Sequence, residues 1–186
     1  MDFLKQKKTQ LEKKDKSNIG SWDKEIIKLC NKINKKKEYY TTSSCSGRIV
    51  LLKEHVKKLP GLFLFRIHNR ITLKQLKKEL GKAVKDYRKM IYFKTEPCRL
   101  HVAAQSLKDS QILTDKSKIS GWKKSGIMAS NKRFMVEMIS TENIEMPIAD
   151  RGKILVSDDF LKILVREANA RLMRTRKKIK NLERLI

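Results

Sequence analysis

The stretch YYTTSSCSGRI, Tyr39 to Ile49, sets hydroxyls, a thiol, a glycine and an arginine between an aromatic pair and an apolar run. Hydroxyl donors, backbone N–H groups made approachable by Gly47 and the guanidinium of Arg48 are the parts of a cradle for phosphate or carboxylate. A hydrogen-bonded turn before a strand is the plainer use of the same residues. A nucleophilic Cys45 activated by Arg48 is a third. Only Ser46 and Gly47 separate those two, too few for the longer loop with which cysteine phosphatases ring a phosphate in amides. A buried, inert Cys45 is therefore expected. A second stretch, TEPCRLHVAA, places Glu96 before a proline and His101 on the strand face opposite Leu100 and Val102. Such a pair suits proton transfer or the grip of a base edge, and a half-buried histidine bonded to a neighbour is the structural alternative. His68, ending FLFRIH, invites the same two readings. Three histidines and three cysteines without ligand spacing point to no metal site.

Periodicity supplies the elements that hold these groups. A short basic N-terminal helix runs into a turn at Ser17 to Gly20. A second helix, with Asp23 as N-cap, carries Ile26, Ile27, Cys30, Ile33 and Asn34 at helical spacing. Strands are expected on both sides of Ser46-Gly47, and another is entered through Pro60-Gly61. Then come a helix from Thr72 to about Ala83, a strand pair split by Pro97, a helix from Ser106 to about Ile119, and three strands in GWKKSGIMAS, RFMVEMIST and IEMPI. The longest helix follows Ser157, with Leu161, Val165, Ala168, Leu172, Ile179, Leu182 and Ile186 as its apolar stripe and Arg166, Arg171, Arg174, Arg176, Lys177 and Lys178 on its other faces. The order predicts a single α+β domain over 1–186, with a mostly antiparallel or mixed sheet flanked by helices. No G-x-G-x-x-G occurs among the seven glycines, so the motif of a classical Rossmann or Walker nucleotide site is missing.

The 186 residues carry 45 Lys plus Arg against 20 Asp plus Glu, a formal net charge of +25. That field favours an anionic partner, RNA ahead of DNA. The apolar runs fall well short of the roughly 20 residues of a spanning helix, and the N-terminus lacks the apolar core of a signal peptide. Cys30, Cys45 and Cys98, odd in number and far apart, suit a reducing cytoplasm.

In order along the chain, DKSNIGSWDKEI, YYTTSSCSGRI, FRIH, EPCRLHV, GWKKSGI and a helix bearing Asn169 resemble the tRNA wybutosine-synthesizing protein 3 family. The likeness spans about Asp15 to Asn169, with phenylalanines in GLFLFRIH where the family usually has a tryptophan. The resemblance implies a cytoplasmic, S-adenosylmethionine-dependent methyltransferase acting on N4 of 7-aminocarboxypropyl-demethylwyosine at position 37 of phenylalanine tRNA. It implies cofactor contacts from Ser43, Ser44, Ser46, Gly47 and Arg48, and catalysis by Glu96, His101 and Arg48. Substrate contacts would come from Asp15, Ser17, Asp23, Tyr39, His68 and Asn169. Tyr39, Tyr40 or Trp122 would stack the splayed base, while lysines 35 to 37 and the C-terminal helix would hold the anticodon stem-loop of a monomeric enzyme. The competing expectation is a non-enzymatic basic RNA-binding protein.

Overall fold

The computed structural model describes residues 2–13, 22–54, 61–130 and 133–186. Along the chain lie α1 (Phe3–Leu11), α2 (Ile27–Lys35), β1 (Tyr39–Cys45), β2 (Arg48–Lys53), β3 (Phe63–Ile67), α3 (Leu73–Asp86) and β4 (Ile91–Glu96). They are followed by β5 (Arg99–Ala104), α4 (Leu107–Ile119), β6 (Gly126–Ser130), β7 (Arg133–Ile139), β8 (Ile144–Asp150), β9 (Lys153–Ile154) and α5 (Asp158–Leu185). The α+β class, the antiparallel pairing and the long C-terminal helix are as expected. The strands, however, form two sheets, ordered β1-β5-β7-β6 and β3-β2-β4-β8-β9. Every pairing between the described strands is antiparallel, which excludes the parallel βαβ units of a Rossmann fold. Among the described residues no helix is long and apolar enough to cross a membrane.

Three short breaks divide the strands between the sheets. At Ser46-Gly47, at Pro97-Cys98 and between Ile139 and Ile144 the chain stops pairing in one sheet and resumes in the other, so β1 and β2, β4 and β5, and β7 and β8 are not partners. Gly47 has φ +93°, a left-handed conformation that a side chain resists, and Pro97 has no N–H to offer a ladder. Contacts within the chain accordingly divide it into two compact units. The first comprises Met1–Ser46, Cys98–Thr141 and Thr175–Ile186, and the second Gly47–Pro97 and Glu142–Arg174.

In the first unit, Leu29, Cys30 and Ile33 of α2 pack with Leu100 and Val102 of β5, Val136 and Met138 of β7, Leu113 of α4, Trp122, and Ile179 and Leu182 of α5. Asn34 ties α2 to β1: its Oδ1 accepts from Thr41 N–H at 2.8 Å and its Nδ2 donates to Thr41 Oγ1 at 3.0 Å. Asp23 is not the helix cap. The N-cap position belongs to Ile26, and the Asp23 carboxylate is occupied by the Ser46 N–H, a stronger demand than an exposed helix start.

In the second unit, Ile49 and Leu51 of β2, Ile91 and Phe93 of β4 and Ile148 of β8 pack with Leu76, Leu80 and Ala83 of α3 and Leu161, Leu164 and Ala168 of α5. Thr72 caps α3, accepting from Gln75 N–H at 3.1 Å. The carboxamide of Asn169, a residue expected at the substrate, brackets the residue entering α3, accepting from Ile71 N–H at 2.9 Å and donating to Ile71 O at 2.8 Å. Ser157 caps α5 through a bond from Phe160 N–H at 3.2 Å.

Burial pushes the Cys30 and Cys98 thiols from 9.0 up to about 12, against small downward pulls from Ser44 and Ser140 respectively. Burial, reinforced by Asp109 and Glu38, likewise raises the Tyr39 phenol to about 12. The folded protein keeps protons that the unfolded chain releases above pH 9, so its stability falls as pH rises from about 9 toward 12. Urea melts should lose on the order of 2 kcal/mol per pH unit near pH 10. The double variant Cys30→Ala/Cys98→Ala should be less stable overall but flatter in that range.

Candidate functional site

The end of β1 is built around one backbone donor. Ser46 is 1% exposed, and its N–H reaches the Asp23 carboxylate at 2.7 Å. Its hydroxyl is buried and has no hydrogen-bond partner among the described residues. A buried hydroxyl without a partner costs about 1–3 kcal/mol, so its retention calls for a reason outside the fold. Ser44 Oγ is also buried, with the Cys30 thiol as its neighbour. Cys45 is a free thiol and only half-buried, in contrast to the buried residue expected.

In the same unit the strand register produces an unforeseen triad. A bulge between Thr41 and Ser43 shifts β1 so that Ser43 lies opposite His101, which lies opposite Glu137 of β7. Ser43 Oγ is 2.9 Å from His101 Nδ1, and Nε2 of the same ring is 2.8 Å from Glu137 Oε1. A carboxylate at Nε2 favours the tautomer protonated there, leaving the Nδ1 lone pair to the serine proton. Arg99 Nε lies 4.0 Å from the same carboxylate. His101 is half-exposed between buried Leu100 and Val102, as its alternation predicts. Glu137 was missed: the alternation in RFMVEMIST sets it apart from Val136 and Met138, but only the register reveals which histidine it meets.

In the second unit Arg48 and Glu96 stand directly opposite on β2 and β4 and form an ion pair through Arg48 Nε. The Arg48 guanidinium lies 4.6 Å from the centre of the Phe63 ring, and that of Arg66 lies 5.4 Å from it. Lys94, next but one to Glu96, pairs with Glu145 at 2.8 Å. Because Ile49 and Leu51 point into the core, the alternate residues put this charged group on the other face of the sheet. Phe63 is 38% exposed, which leaves ring surface for a planar ligand. His68 follows β3 and is half-buried.

The rings chosen from sequence for base stacking are in the core. Tyr40 and Trp122 have no exposed surface, and Tyr39 is 9% exposed with its hydroxyl donating to Asp109 O at 2.9 Å. Much of the basic character of α5 is also used internally. Arg174 pairs with Glu142 at 2.7 Å, Arg176 with Glu25 at 3.6 Å, and Lys178 donates to Thr141 at 3.2 Å. Lys177, Lys180 and Arg184 are exposed, as are lysines 35 to 37. Asp15 and Ser17 lie outside the described residues.

The family model described as Methyltransferase TYW3 matches residues 3–186. The chain belongs to that family. It is therefore an enzyme that transfers a methyl group. It is 34% identical to the tRNA(Phe) 7-((3-amino-3-carboxypropyl)-4-demethylwyosine(37)-N(4))-methyltransferase of Thermococcus sibiricus, across 97% of this chain and 95% of that protein. It is 32% identical to the human tRNA wybutosine-synthesizing protein 3 homolog, across 96% of this chain and 70% of the human one. The solved structure of the PH1069 protein from Pyrococcus horikoshii OT3 superposes with a TM-score of 0.85 at 30% identity, covering 99% of this chain and 93% of that one.

The thiols offer a simple check on the site. At pH 7.5 iodoacetamide should add rapidly to one cysteine per folded chain, Cys45, while buried Cys30 and Cys98 react at least about 100-fold more slowly. Intact-mass and peptide spectra read the count, and rapid addition to Cys30 or Cys98 would contradict the burial described.

Proposed function

We propose that the chain moves a methyl group from S-adenosylmethionine to N4 of 7-aminocarboxypropyl-demethylwyosine at position 37 of phenylalanine tRNA, acting in the cytoplasm as a monomer on the anticodon stem-loop. The observation that carries this reading is the nearly end-to-end match, at 34% identity, to a relative whose name states that reaction.

The residues of the β1 end suit such a donor. The orphaned Ser46 hydroxyl, with Ser43, Ser44 and the backbone at Gly47, supplies polar atoms for a small zwitterionic molecule. The bound donor supplies an electrophilic methyl carbon on a sulfonium. The chain's own work is alignment and exclusion of water, because a direct displacement needs little else. Arg48 and Glu96 together match an α-amino-acid group, the guanidinium facing its carboxylate and the carboxylate its ammonium. Donor and aminocarboxypropyl base both carry that group, so the pair serves one of them. Phe63, exposed beside two guanidiniums, stacks a splayed base better than the buried tyrosines and tryptophan. His101, held between Ser43 and Glu137, takes the proton that the ring nitrogen loses. Asp23 fixes the turn, and His68 contacts the substrate.

Labelled S-adenosylmethionine should methylate phenylalanine tRNA from a strain lacking this step and leave fully modified tRNA unlabelled. Arg48→Ala should lower kcat/KM by about 100-fold or more while the thermal transition stays cooperative. Label in neither RNA, or a fully active Arg48→Ala protein, would overturn the corresponding assignment.

A further inference from the structure

Helix α3 has an outer face that holds none of the candidate site residues. At about 100° per residue, Lys74, Lys78 and Lys85 fall within about 40° of arc, directly opposite the buried stripe of Leu76, Leu80 and Ala83. All three are exposed and have no ion-pair partner among the described residues. Their helical neighbours differ: Lys77 pairs with Asp158 at 2.6 Å and Lys82 with Glu79 at 3.4 Å. The row spans about 16 Å along the axis, enough to meet about three phosphates.

Gly81 lies on the same stripe, between Lys78 and Lys85. Glycine in mid-helix is destabilising relative to alanine, and here nothing in the fold requires it. Its backbone has no positive φ, and a Cβ added there meets no atom within 4 Å. Three uncompensated lysines around a missing side chain make a flat, cationic strip on a helix fixed by the Asn169 bracket and the Thr72 cap. We propose that this strip is a docking surface for the sugar–phosphate backbone of an RNA stem, with Gly81 allowing the backbone to come against the helix and Lys74, Lys78 and Lys85 each taking a phosphate. The inference rests on the reading of the substrate as tRNA and extends it to a second contact region.

Binding is measured with an unmodified phenylalanine tRNA transcript across a salt series, so that loss of this contact is separable from failure of methyl transfer. Lys74→Gln/Lys78→Gln/Lys85→Gln should lower the slope of log affinity against log salt by about 2 to 3. Lys77→Gln/Lys82→Gln, which removes lysines already paired, should change it by less than about 1. Gly81→Leu should raise the melting temperature yet weaken tRNA binding about tenfold, opposite movements that a purely structural glycine would not give. Wild-type tRNA affinity in Gly81→Leu, or slopes that follow only the number of charges removed in both lysine variants, would overturn the proposal. So would loss of binding to anionic phospholipid vesicles with tRNA binding intact, which would give the strip to a membrane.

Discussion

The bond from Ser46 N–H to the Asp23 carboxylate anchors the site from which the rest follows. A buried backbone donor at the end of β1 must find an acceptor, and the sheet no longer offers one. Asp23 provides it at 2.7 Å, which draws the segment before α2 onto the end of β1 and removes Asp23 from helix capping. The next residue, Gly47, turns the chain through φ +93°, and β2 then begins with Arg48 in register with Glu96. Along the chain, Ser46 thus follows the hydroxyl-rich strand and Arg48, two residues on, opens the next. Ser46 keeps a buried hydroxyl that the fold itself does not use.

Two of the features that go against stability among the described residues lie where a ligand is proposed. The Ser46 hydroxyl is buried without a partner, and Gly81 interrupts a helix with nothing packed on it. Each has a local cost on the order of 1 kcal/mol or more, which packing elsewhere offsets. By contrast, Asn169, Arg174, Arg176 and Lys178, polar groups that read as functional in the sequence, are bonded within their own units.

The helices were legible because their information is local. Thr72, Ser106 and Ser157 each accept from the N–H three residues on, and the apolar stripe of α5 is buried as its spacing requires. The strands were legible as segments but not as sheets. Pairing β1 with β5 and β2 with β4 joins residues about fifty positions apart, and no alternation pattern encodes which partner a strand meets. The same gap hid Glu137, whose importance depends on register with His101, and it hid the company of Phe63. Burial of Tyr40 and Trp122 was equally invisible, since an aromatic ring suits a core as well as a binding face. The family likeness supplied the reaction; the strand register supplies which groups stand next to one another.

Calorimetric titration with S-adenosylhomocysteine, with wild type set beside Ser46→Ala, tests whether the hydroxyl-rich end of β1 holds the methyl donor. If it does, the wild type shows one binding site and Ser46→Ala binds about tenfold more weakly, while the variant melts at the same or a higher temperature because an unpaired buried hydroxyl is gone. Undiminished affinity in Ser46→Ala, or its loss only together with the fold, would contradict it.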